Sequence, residues 1–365
     1  MEKKLIALAV AGAAAGFACA PVLAQSNVSV YGVIDQALTT QSQANGGNVT
    51  SLVSGGYTTE RLGFKGSEDL GSGLKANFVL ELGMHSPAGN LDNTRSQLFQ
   101  RMSTVGLSGA NWGQVNFGRM YTPLFSIQYM NDLFRTVGIG TVYNLTNVGV
   151  TRVSNAVRYD SPSWNGFSLG AMYGLGDTGT GDVSTGGALP APLVGTYPKN
   201  LGRQAGFNVM YKNGPLALGA GYNKLYEVAL DKYLQWDAQK TWAVTGSYDF
   251  KVVAIQAGWQ DNKIDDNMQD RTVWNVGATV PVFGADLVKL QYADRHDKLI
   301  SSGDSKQTAL GYVHPMSKRT TLYATYVKLD NDSNAAQGII LGVSGLNITP
   351  GYSPDGFQLG LAHEF

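Results

Sequence analysis

Four histidines, His85, His296, His314 and His363, and one cysteine, Cys19, are the side chains in this 365-residue chain best suited to proton transfer, metal binding or nucleophilic attack. None is spaced for it. The histidines are scattered with no paired spacing, so they make neither a metal site nor a base for a nucleophile. Cys19 falls in an N-terminal stretch expected to be removed, leaving no thiol for a disulfide or a zinc cluster. Gly174-Leu175-Gly176-Asp177-Thr178-Gly179 has the glycines of a phosphate loop but no helix pattern after it to supply a dipole. The acidic stretch 176–187 does not follow EF-hand order. No catalytic residue, metal or cofactor is expected. What remains is fixed charge: Arg61 and Lys65 on one phase of an alternating segment, and a long aperiodic stretch, 120–151, with one acid, Asp132, and one base, Arg135. Charge of that kind acts on ions by its field rather than by bond-making.

The elements that must position these charges are strands. Sixteen alternating segments run at 27–39, 58–66, 74–84, 98–107, 113–119, 152–160, 167–174, 204–212, 216–226, 240–248, 252–261, 271–280, 286–294, 307–313, 320–330 and 356–365. Their period of two is that of a half-buried strand. The last segment alternates for ten residues and ends on Phe365, which is the length a tilted strand needs to cross a bilayer. Turn chemistry at 68–71, 213–215, 283–285 and 314–317 separates strands on one side, and long polar loops separate them on the other. Charged residues are only 15% of the chain, glycines number 46, and aromatic residues reach 10%. Together these favour an all-β, 16-stranded antiparallel transmembrane barrel over a soluble β-sandwich. Phase puts Val30, Gly32 and Ile34 on one face of the first strand, with Tyr31, Val33 and Asp35 on the other. Leu74, Ala76, Phe78, Leu80 and Leu82 face lipid on the third, leaving Lys75, Asn77, Val79 and Glu81 inside. Trp274, Val276, Ala278 and Val280 face lipid further on. Tyr211, Tyr222, Tyr248, Trp259, Tyr292 and Tyr326 suit aromatic girdles.

Lys3 and Lys4, an apolar run and a small-residue cleavage site make 1–24 a secretion signal, with 25–365 as one barrel domain. The Gly16-Phe17-Ala18 sequence before Cys19 is a poor lipoprotein signal. After cleavage, 25 basic residues stand against 26 acidic ones, which argues against a nucleic-acid partner.

Several landmarks resemble one family. They are Val30-Tyr31-Gly32-Val33-Ile34-Asp35, Arg61-Leu62-Gly63-Phe64-Lys65-Gly66-Ser67-Glu68-Asp69-Leu70-Gly71, Gly73-Leu74-Lys75-Ala76, Val105-Gly106-Leu107, Phe117-Gly118-Arg119-Met120-Tyr121-Thr122-Pro123, Arg158-Tyr159-Asp160-Ser161-Pro162, Ser317-Lys318-Arg319-Thr320 and the closing Gly360-Leu361-Ala362-His363-Glu364-Phe365. In this order they look like the trimeric general porins of Gram-negative outer membranes, most closely the β-proteobacterial type.

The resemblance implies passive diffusion of ions and small hydrophilic solutes through an aqueous pore. The third loop, 120–151, would fold inward against a ladder of basic residues. Carried over by position, the ladder is Arg61, Arg101, Arg152 and Arg158, with Asp132 as the acidic partner and Arg135 beside it on the loop. Lys65, Lys75 and Glu81 are further lumen charges. Arg101 is read as inward, with Met102 and Thr104 outward. Arg119 falls out of the lumen phase, and the family precedent for it is pairing across a subunit contact. For each ladder arginine the alternative is a rim charge or a wall salt bridge. Enteric members carry several acids on this loop, whereas here there is one, so a net positive constriction and an anion preference are expected. Expected partners are outer-membrane lipid and lipopolysaccharide, the barrel-assembly machinery through Phe365, and two further copies in a homotrimer. Alternatives are a substrate-specific anion channel and a barrel enzyme. The enzyme would need a serine paired with a histidine or acid at the wall, and no segment offers that pair.

Overall fold

Alternation decides which way each strand faces. On β1 (Asn27–Ser42), Val30, Ile34 and Leu38 are 59%, 43% and 55% exposed, while Asp35, Ala37 and Thr39 between them are buried. The same rule runs through the sheet. The computed structural model describes residues 27–92, 97–146, 151–176, 202–229, 236–265, 269–340, 342–343 and 346–365. The expected secretion signal and nearly all of 176–187 lie outside them.

Among the described residues, sixteen strands close into one antiparallel barrel. After β1, the second strand, β2, comes in two segments, Asn48–Ser54 and Arg61–Gly71, which pair successively with β1. Then follow β3 (Leu74–His85), β4 (Met102–Gly109), β5 (Gly113–Tyr121), β6 (Arg152–Asp160), β7 (Phe167–Leu175) and β8 (Arg203–Asn213). The second half is β9 (Leu216–Ala229), β10 (Trp236–Asp249), β11 (Ala254–Ile264), β12 (Gln269–Val282), β13 (Asp286–Asp297), β14 (Ser305–Pro315), β15 (Thr320–Asn331) and β16 (Asp355–Glu364). The barrel closes where β1 meets β16, Val33 opposite Glu364 through Gln41 opposite Gly356. Closure leaves no unpaired edge for lipid to meet.

Strands exceed the alternating segments by a few residues at most ends. Three expectations change. The turn read at 68–71 falls at Ser72 and Gly73, because Gly71, Ser72 and Gly73 hold the positive φ values that reverse the chain. The segment at 98–107 begins four residues late, at Met102, and its faces are reversed. Met102 and Thr104 point inward, and Val105 and Leu107 are 61% and 43% exposed outside. The loop side is also not uniformly long, since 43–47, 230–235 and 265–268 are as short as turns; the long connectors are 86–101, 122–151, 176–202 and 332–354.

Aromatic rings gather on the outside at two levels. Phe207, Tyr222 and Trp242 pack together toward the loop side, with centroids 4.5–5.9 Å apart. Phe167 and Tyr211, and Tyr248 and Phe250, pair near the turn side at 4.5 Å. Val244 and Gly246 lie between on β10, so an apolar band separates two interfacial belts.

The last residue completes the wall. Gly32 N–H donates to the Phe365 carbonyl at 3.1 Å, Phe365 N–H donates to Gly32 O at 3.0 Å, and the ring lies where a Cβ on residue 32 would stand. Deleting Phe365 forfeits both bonds and a half-buried ring, which should cost about 2 kcal/mol. Urea unfolding of the refolded barrel in detergent is the check, and an unchanged midpoint would remove Phe365 from the stability account.

Candidate functional site

Of the 30 residues between β5 and β6, the described stretch 122–146 turns into the barrel. Thr122 caps helix α1 (Pro123–Met130) by accepting from Phe125 N–H at 3.1 Å, and Pro123 starts the helix where no amide donor is needed. The loop then lies along the inner wall of β8 to β14. Wall carboxamides hold it, strand after strand. Asn208 donates to Pro123 O at 2.8 Å, and Gln128 donates to Gln260 at 3.0 Å. Asn275 donates to Asn131 O at 2.9 Å and accepts from Asn131 Nδ2 at 2.7 Å. Gln291 accepts from Leu133 N–H at 3.2 Å, and Gln307 donates to Gly140 O at 3.0 Å. Inward glycines make the room: a Cβ on Gly258 would stand 1.6 Å from Asn131 Oδ1, on Gly277 2.5 Å from Leu133, and on Gly311 2.8 Å from Phe134. Beneath the loop, Phe134, Ile139, Val142 and Leu145 bury themselves against Val273, Ala293, Ala309, Val327 and Leu329 of the wall. A small apolar core inside a polar lumen fixes the loop by the same burial that fixes a soluble domain.

The opposite wall, β2 to β6, carries the arginines. Arg101 precedes β4 and so escapes its alternation. It is 3% exposed, and its Nε donates to Glu81 Oε1 at 2.7 Å. Arg61 Nη1 is 4.0 Å from the other Glu81 oxygen, which also accepts from Tyr31 Oη at 3.0 Å. Arg152 meets no carboxylate at ion-pair distance among the described residues. Its guanidinium lies 4.3 Å from the Tyr121 ring centroid and donates to Tyr121 Oη at 2.5 Å. Arg101 donates to the same hydroxyl at 2.8 Å. Arg61, Arg101 and Arg152 are therefore one connected group. Arg158 differs. It is clamped to Asp160, at 2.9 and 2.7 Å, and reaches the group only through the Tyr121 carbonyl at 2.8 Å. Arg119 donates to Gln100 O and to Ser154 Oγ.

Asp132 lies apart from every arginine of the wall. It accepts from Phe134 and Thr136 N–H, each at 2.9 Å, and from Thr141 Oγ1 at 2.5 Å. Burial pushes its carboxyl above the ordinary carboxylate range, against the pull of those bonds. It is a staple for the loop tip, where Arg135 and Thr136 both take left-handed backbone at φ 58° and 62°. That tip aims Arg135 over Tyr57, 4.5 Å from the ring centroid. Lys289 of β13 approaches the same ring at 5.6 Å and donates to Leu133 O at 2.8 Å. Lys75 lines an open cavity with Ser108, Gln114 and Asp160 on the turn side. Lys65 is exposed, 5.0 Å from the Tyr31 ring centroid.

Tyr121, Tyr57, Lys289 and the wall carboxamides are absent from the site read in the sequence. Tyr121 sits inside a quoted motif, at the strand end nearest the ladder, and that was its only signal. The carboxamides all lie on inward phase, but so do many polar residues, and alternation alone does not say which of them meet a loop.

A closed barrel with an apolar outer band, two aromatic belts and a cation-lined interior narrowed by its own loop is a membrane channel. The chain matches the family model described as Gram-negative porin over residues 7–334. It is 34% identical to outer membrane porin protein 32 of Delftia acidovorans, covering 100% of both chains. It is 29% identical to the major outer membrane protein P.IB of Neisseria meningitidis serogroup B, over 88% of this chain and 91% of that one. The solved structure titled "Anion-selective porin from Comamonas acidovorans" superposes with a TM-score of 0.80 at 32% identity, over 93% of this chain and 100% of that one. The chain belongs to the Gram-negative porin family. It is an outer-membrane channel for small solutes, not an enzyme.

Proposed function

We propose that the channel prefers anions, and that Arg61, Arg101, Arg152 and Arg135 set the preference, with Arg158, Lys65 and Lys75 as flanking charges. The carrying observation is the balance of charge at the narrow passage. Glu81 is shared between Arg61 and Arg101, Asp160 is occupied by Arg158, and Asp132 is buried in the loop, so Arg152, Arg135 and Lys289 face no acid at ion-pair distance among the described residues. A surplus of fixed cation in a narrow, low-dielectric passage lowers the barrier for anions and raises it for cations. The Comamonas porin, anion-selective by its title, supports the same reading for this relative.

The working form is a homotrimer, as the resemblance to the trimeric general porins implies. Residues 1–24 direct secretion, Phe365 addresses the chain to the barrel-assembly machinery, and outer-membrane lipid and lipopolysaccharide surround the wall. The test is the zero-current potential of the purified protein in a planar bilayer under a tenfold KCl gradient. The expected potential lies on the chloride side, with conductance steps in groups of three. A potential on the potassium side would sink the anion reading and leave the channel standing.

A further inference from the structure

The Tyr121 hydroxyl is an acceptor for two cations at once. Arg101 Nη2 and Arg152 Nη2 both donate to it, at 2.8 and 2.5 Å. A phenol oxygen has two acceptor positions and one proton. Both acceptor positions are filled, so the proton must point elsewhere, and no acceptor for it lies within reach among the described residues. The ring is held on both sides, by the Arg152 guanidinium at 4.3 Å and by Phe125, stacked at 4.6 Å and 14°. Its carbonyl accepts from Arg158 at 2.8 Å. Tyr121 also borders an open cavity of about 430 Å³ together with Thr104, Asn116 and Arg158. One residue thus fixes three arginines, borders this open cavity and keeps a spare O–H donor. Close by, Arg152 Nε is buried and meets no acceptor among the described residues. The neighbourhood has donors in excess, and a buried donor left unmade is costly.

Building on the anion reading above, we infer that Tyr121 is a specificity-determining residue, whose hydroxyl donates to the permeating anion and ranks anions of equal charge by acceptor strength. Two guanidiniums drawing on the phenol oxygen polarise its O–H, and a hydrogen bond from it replaces part of the hydration an anion sheds on entry. Charge alone admits chloride and iodide alike. A fixed donor favours chloride, the stronger acceptor.

The test is the bi-ionic potential with KCl on one side of the bilayer and KI on the other, for the unsubstituted protein and for Tyr121→Phe. The variant keeps the ring, the stack on Phe125 and the carbonyl held by Arg158, so the loop keeps its start. The expected result is a chloride-over-iodide permeability ratio that falls about threefold in Tyr121→Phe, the weight of a partly hydrated charged hydrogen bond. An unchanged ratio in a variant that folds and conducts overturns the inference. Tyr121→Leu, which also removes the ring beneath Arg152, separates the two duties of the residue. It should lose the chloride-over-potassium preference as well, whereas Tyr121→Phe should retain its sign. If both variants shift chloride over potassium alike and neither shifts chloride over iodide, Tyr121 only positions the arginines and the donor role is refuted. With the bulky cation N-methylglucamine in place of potassium on both sides, the halide ratio stays readable even if the KCl gradient overturns the anion reading.

Discussion

Gly258→Val should detach the constriction loop from its seat and cost about 3–5 kcal/mol. The new Cβ would stand 1.6 Å from Asn131 Oδ1, far inside contact distance. The Asn131 side chain must leave, and with it go its donation to Asn275 Oδ1 at 2.7 Å and the bond it accepts from Thr245 Oγ1 at 3.3 Å. Overpacking of this kind costs about 1–3 kcal/mol and each lost buried bond about 1 kcal/mol. The neighbouring seats at Leu133 and Phe134 follow directly in the chain, so the strain reaches the apolar core under the loop tip. A lower urea midpoint should accompany single-channel records that switch among several conductance levels, because a loop freed at its middle has more than one resting place. A single conductance level at the unsubstituted midpoint would show that Asn131 is dispensable to the seat.

Arg152→Gln should reduce the chloride-over-potassium ratio more than Gln at Arg61 or Arg158 does. Arg61 shares Glu81, and Arg158 is clamped to Asp160, so neutralising either exposes an acid and rearranges a pair. Arg152 has no carboxylate to release, and its loss subtracts one uncompensated charge. A unit charge about 5 Å from the path of the ion contributes about 0.8 kcal/mol in water, with opposite signs for chloride and potassium, which is about a 15-fold change in their permeability ratio, and more where the passage excludes water. Reversal potentials of the three variants in the same KCl gradient give the ranking. A larger effect at Arg158 would mean that the Asp160 clamp opens in the conducting state.

Most of the barrel was legible because lipid and water impose opposite demands on alternate residues. That demand is written locally, in runs such as 74–84 and 271–280, and the observed strands follow it. It failed at 98–107 for a physical reason: Arg101 lies in a bend before β4, so it turns inward without obeying the phase of the residues after it. Reading Arg101 as a strand residue reversed Met102 and Thr104. The turn at 68–71 was misplaced because acidic residues promise a turn, but the three consecutive positive φ values at 71–73 make it. The site was legible in part. Arg61, Arg101 and Arg152 lie together in the structure, whereas Asp132 is turned into the loop, where it accepts from Thr141 and two amides at its own tip. Lys289 and the carboxamide rail depend on contacts between residues 85 to 167 positions apart, such as Asn208 with Pro123 and Gln307 with Gly140, and Tyr121 on partners 20 and 31 positions away in other elements. No local pattern encodes a contact at that separation.

The loop comes before its seat in the chain. Residues 122–151 are complete when β5 and β6 exist, yet the rail that holds them, Asn208, Gln260, Asn275, Gln291 and Gln307, is spread over strands β8 to β14. A half-built wall therefore has its loop but nowhere to lodge it. The constriction cannot be seated until the strands that carry the rail are in place, so the capacity to sort solutes depends on completion of the wall.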